Sequence, residues 1–163
     1  MADTLKDGLE KLLDAYYERR RAVLEREKKI REDDALFLER FKELRKSMIR
    51  PAFEEVGAIL AARGHGFSIH EDELETSGGS EVREAGITLK IMPSGMAAPM
   101  HDDHGRSFSI TTRHYNKTVW INAGRPLDAG GVAGSKGAHA LEKVTRALVE
   151  DELLKFVAAV VAA

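Results

Sequence analysis

A strict seven-residue repeat constrains this chain more than any other feature. Leu9, Tyr16, Val23, Ile30, Phe37 and Leu44 are all apolar and stand seven apart. An α-helix returns to nearly the same face every seven residues, so the run predicts one long helix whose seam lies against a partner helix. A helix from about Leu5 to Ile49 is roughly 65 Å long at 1.5 Å per residue. A chain of 163 residues cannot cover such a helix along its whole length with its own body. The repeat therefore predicts association, as a homodimer or with another helical protein.

The seam is not uniform. Leu5 and Leu12 complement it in the first turns, and Phe41 and Met48 do so near its end. Between them the matching positions are Arg19, Arg26 and Asp33. This charged stretch leaves two readings open. One is a continuous helix. The other is a hairpin broken around Arg31-Glu32-Asp33-Asp34, where Asp33 or Asp34 caps a second helix. Parallel and antiparallel pairing both satisfy the repeat.

Pro51 predicts a kink or a helix restart, because proline lacks an N–H and crowds the preceding turn. Phe53, Val56, Ile59 and Leu60 continue at helical spacing, and Gly64 suits a left-handed helix cap. The period then changes to two. Phe67 and Ile69, then Ile87, Leu89 and Ile91, then Phe108, Ile110 and Thr112, then Val119 and Ile121 mark four strands, with Trp120 on the opposite face of the last. Asn116-Lys117 is a turn signal between the third and fourth strands. Residues 123–137 are rich in glycine and read as irregular, and residues 138–163 read as a final helix. The expected fold is α+β: a long N-terminal helix able to form a coiled coil, a four-stranded antiparallel β-meander, and a C-terminal helix packed on the sheet. Residues 1–50 form the extended helical segment and 51–163 the compact α+β domain.

Composition narrows the chemistry. The chain has no cysteine, which excludes disulfides, thiolate metal sites and a cysteine nucleophile. Its net charge of −2 gives no global attraction for nucleic acid, which is disfavoured as a partner. No apolar run is long enough to span a membrane, and the N-terminus lacks the apolar core of a secretory signal, so a cytoplasmic protein is expected.

Charge is nevertheless segregated. From residue 19 to residue 31 seven basic residues face two glutamates, and from 40 to 50 five basic residues face Glu43. From Glu71 to Glu84 six acidic residues face only Arg83. Three readings stand for the bands: a patch for nucleic acid or anionic lipid, solvated helix faces, or a meeting of the acidic segment with a basic band within or between subunits.

Two loops carry the weaker candidates. His101, Asp102 and His104 combine imidazole and carboxylate donors suited to a metal, although neighbouring loop residues rarely converge on one ion. Lys136, in Gly130-Gly131-Val132-Ala133-Gly134-Ser135-Lys136-Gly137, offers an anion contact. The order Ser-Lys departs from the Gly-Lys-Ser/Thr of a phosphate loop. No cofactor is implied. The functional expectation is a non-enzymatic interaction or scaffold protein that self-associates through Leu9, Tyr16, Val23, Ile30, Phe37 and Leu44. The alternative is a small ligand- or metal-binding domain or enzyme with its site at the 94–106 and 123–137 loops.

Overall fold

A computed structural model describes residues 2–75, 82–94, 106–123 and 135–162. Helix α1 runs from Ala2 to Leu44 without interruption, so Arg31 to Asp34 are helical and there is no hairpin. Residues Arg45–Ile49 follow as a π turn, in which the Arg50 N–H reaches the Arg45 carbonyl. Helix α2 then spans Arg50–Ala62, with Pro51 in its first turn. Proline cannot donate to the carbonyl one turn back and its ring crowds that group, so a widened turn lets the helical chain pass it. The π turn has a second effect. Phe37, Phe41, Arg45, Ile49 and Phe53 are all buried and stand four apart. In a regular helix a four-residue step drifts about 40° around the axis. Under-winding absorbs part of that drift and holds the row on one side.

Helix α2 ends in a Schellman motif. Gly64 takes a φ of +89°, its N–H donates to the Ala61 carbonyl (3.0 Å) and the His65 N–H donates to the Leu60 carbonyl (3.0 Å). Strands β1 (Gly66–Asp72), β2 (Gly86–Met92), β3 (Ser107–Arg113), β4 (Thr118–Ala123) and β5 (Ser135–Ala140) form an antiparallel meander in sequence order. The sheet thus has five strands, where the sequence pattern marks four. β5 reads Ser-Lys-Gly-Ala-His-Ala, with no β-branched or aromatic residue and with Gly137 at φ +95°. Pairing with β4, across an irregularity between Trp120 and Asn122, makes it a strand where local propensity does not.

The C-terminal helix α3 is Arg146–Ala162, shorter than the expected 138–163. Residues 138–140 belong to β5 and Leu141–Lys143 form a 3-10 turn. The Thr145 hydroxyl accepts the Leu148 N–H (3.2 Å), which caps the helix at its observed start. The β3–β4 turn also differs in detail. Lys117, rather than Asn116, adopts the left-handed conformation, at φ +57°. The Asn116 N–H closes a turn onto the Arg113 carbonyl (3.3 Å), and the next residue must reverse the chain into β4.

Register fixes the core. Leu89 lies opposite Phe108, and Ile110 lies opposite both Ile87 and Ile121. These residues are fully buried and form one apolar sheet face. α2 and α3 cover it. Phe108 sits between Phe53 of α2 (5.7 Å between ring centroids) and Phe156 of α3 (5.6 Å). Gly57 is required by the same packing. A Cβ there would lie 2.3 Å from the Phe67 ring, so β1 and α2 approach closely only because that side chain is missing. Strands β2 to β4 present Thr88, Lys90, Ser109, Thr111, Trp120 and Asn122 on the other face, as the alternation of a half-covered antiparallel sheet requires.

The chain divides into two compact units, residues 1–36 and residues 37–163.

Candidate interaction surface

The first unit is helix alone. Leu5, Leu9, Leu12, Leu13, Tyr16, Tyr17, Val23, Leu24 and Ile30 are each 48 to 69% exposed. At 100° per residue they fall within an arc of about 140° on one side of α1. From Leu5 to Leu13 the spacing is the i, i+4, i+7, i+8 pattern of a helix face that packs against something. Tyr16 and Tyr17 meet edge to face at 5.5 Å and add aromatic bulk at its middle. Charged residues interrupt the arc, Lys6 and Arg20 before Val23 and Glu27, Arg31 and Asp34 past it. The flanks carry loose helical ion pairs, Glu18 with Arg21 (3.6 Å) and Lys28 with Glu32 (4.0 Å). Exposed pairs of this kind contribute little.

The seven-residue repeat does not end where this exposed face ends. Phe37 is 6% exposed and belongs to the core of the second unit, and Leu44 packs against that core. Leu9, Tyr16, Val23 and Ile30 remain on the exposed face. One repeat thus serves two neighbourhoods, a packed core at Phe37 and Leu44 and an open face at the other four positions.

The second basic band and the acidic segment meet inside the second unit. Arg45 is buried. Its Nη1 donates to the carbonyls of Asp72 (3.0 Å) and Gly86 (3.2 Å), its Nε lies 3.3 Å from a Glu71 carboxylate oxygen, and its Nη2 pairs with Glu73. Its guanidinium also stands over the Phe41 ring at 5.7 Å. Lys42 reaches Glu73 (3.3 Å) and Arg50 reaches Glu71 (3.3 Å). Partial burial pushes the Glu73 carboxyl up, but the hydrogen bonds and charges of Arg45 and then Lys42 outweigh it and hold the group below the usual glutamate range. Arg45 therefore ties the π turn to the ends of β1 and β2. Sequence shows both charge bands but not which arginine is buried between them, because that depends on where the strand ends arrive.

Two further features are built in the second unit. Glu84 accepts from the His114 imidazole (Nδ1 to Oε1, 2.8 Å), from the His114 backbone N–H (3.3 Å) and from the Thr112 hydroxyl (3.3 Å). This arrangement orients an imidazole at the β3–β4 turn. Alongside it, Arg113 stacks over Trp120 at 4.5 Å. Between α2 and α3 an open groove of about 310 Å³ is lined by Ala52, Val56, Ile59, Leu60, Leu153, Leu154 and Val157, with Glu55 and Glu150 at its edge. Arg146 binds both edge carboxylates, Glu150 at 2.6 Å and Glu55 at 2.8 Å, and its guanidinium is pushed further up by Glu150 and then by Glu55.

His101, Asp102 and His104 lie outside the described residues. Lys136 is the second residue of β5. Among the described residues no group of three or more histidines and carboxylates is placed to hold a metal. No helix there is long and apolar enough to cross a membrane. No family model matches the chain, and no curated protein or solved structure matches it significantly.

Proposed function

We propose that this protein is a non-enzymatic interaction module that self-associates through the helix of residues 1–36. The reading is supported above all by one observation: nine large apolar side chains on one side of α1 stand about half exposed or more. A set of large apolar side chains gathered on one helix face marks an interaction site on a folded protein. Burying it against a second helix removes apolar area from water along many successive turns. On this reading Leu9, Tyr16, Val23 and Ile30 form the pairing seam. The compact α+β unit is carried by the pair and presents the surfaces around Trp120 and the α2–α3 groove.

Light scattering of the full chain over a concentration range tests this directly. A dimer is expected for the natural sequence, and a monomer for Ile30→Glu and for Tyr16→Glu, with the thermal unfolding of the α+β unit unchanged. A natural chain that stays monomeric at every concentration would end the proposal.

A further inference from the structure

Resting on that self-association, we infer that two copies pair antiparallel through α1, with residue n of one helix beside residue 35−n of the other. Three observations carry this. The first is the charge in the seam. In a parallel in-register pair, Arg19 would face Arg19 and Arg26 would face Arg26, two like-charge layers held close along the seam. An antiparallel pair sets each position of the Leu9, Tyr16, Val23, Ile30 series beside one of the Leu5, Leu12, Arg19, Arg26 series. Ile30 then meets Leu5 and Val23 meets Leu12 of the second copy. Tyr16 receives Arg19 of the second copy on its ring, a cation–π arrangement. The stem of Arg26 lies along Leu9 with its guanidinium reaching water. Each arginine layer thus gains an aromatic or apolar partner.

The second observation is the charge of the flanks. From Asp3 to Asp14 there are four acidic residues against two lysines. From Arg21 to Glu32 there are five basic residues against three glutamates. The inferred register lays these two segments against each other twice, once at each end of the pair. A parallel pair would stack each on its own copy. Such complementarity selects orientation as well as partner.

The third observation fixes the register. Sliding the helices one heptad apart, to 28−n, lays residues 3–14 against residues 14–25, where three arginines stand beside three acidic residues and no net positive charge meets the acidic segment. Sliding them one heptad together, to 42−n, requires Phe37 to meet Leu5, but Phe37 is buried in the core of its own α+β unit. Of these registers only 35−n sets the acidic segment against the basic one and leaves Phe37 where it is.

The absence of native cysteine allows a clean test in the full chain. Leu12→Cys and Val23→Cys are made separately, and each is oxidised alone and as an equimolar mixture, with a short bis-maleimide as a second cross-linker. In the inferred pair, residue 12 of one copy lies beside residue 23 of the other. Like positions are roughly 16 Å apart along the axis, too far for a disulfide. Cross-linked dimer is expected in the mixture and in neither single variant. Cross-linking of each variant with itself would overturn the antiparallel arrangement in favour of a parallel one. A chain that scatters light as a dimer but cross-links in no combination would overturn the register. A monomer by light scattering would instead remove the self-association on which the inference rests.

Discussion

Residues 30 and 37 occupy the same position in the same repeat, yet Ile30 is 51% exposed and Phe37 is 6% exposed. Between them the chain passes from a helix with an open apolar face to a unit with a closed core. The second unit covers its own apolar sheet face: strands β2 to β4 bury that face, two helices close it, and its buried cation is bound on several sides. The first has strong helical periodicity and no partner within its own residues. A seven-residue repeat therefore specifies that a face is made for packing. It does not specify what packs there.

The sharpest break of this comparison is a matched pair of substitutions. Phe37→Ala should destabilise the α+β unit by about 3–5 kcal/mol through lost burial and a residual cavity. Ile30→Ala should shift the same unfolding transition by no more than about 0.5 kcal/mol, the range of surface changes. Urea unfolding followed by Trp120 fluorescence, at low protein concentration, measures both. Equal effects would mean that the two positions share one environment.

Arg45→Met probes whether the second unit depends on its buried charge. The substitution leaves Glu71 and Glu73 without their shared cation and removes the guanidinium hydrogen bonds to two carbonyls, so a loss of about 3 kcal/mol is expected. The same urea series reads it, and a change below about 1 kcal/mol would show that Lys42 and Arg50 suffice for this cluster. Gly57→Ala should cost about 1–3 kcal/mol, because the new methyl meets the Phe67 ring and β1 must shift. On an open helix face the same change would stabilise instead.

The smallest effect is set by pH. Glu73 is held below the usual glutamate range in the folded chain, so it adds stability while ionised. That contribution is complete above the range in which a free glutamate titrates, and it is lost as pH falls through the lowered folded value. Because the carboxyl is half exposed, solvent screening limits the contribution to about 1 kcal/mol or less. Glu73→Gln should remove a matching part of the acid sensitivity in denaturation curves recorded across that range. An unchanged acid limb would place the sensitivity on other carboxylates.

The parts of this fold that were legible in sequence are those that depend on local period. The helical period of residues 5–49, the end of α2 at Gly64 and strands β1 to β4 follow from apolar spacing and turn residues, since backbone geometry alone decides which side chains share a face, whereas the passage of α1 through residues 31–34 without a break did not follow. The exposed apolar residues of α1 were legible for the same reason. Tertiary structure decided the remainder. β5 is a strand because β4 offers a free edge to a segment of low strand propensity. The helix between residues 138 and 145 is replaced because that edge and the Thr145 cap claim those residues. Arg45 is buried because the ends of β1 and β2 converge on the π turn. Phe37 is buried and Leu44 half-buried because the core of the second unit takes them in. Periodicity is a property of neighbouring residues, whereas burial depends on which distant surface arrives, and no local pattern carries that information.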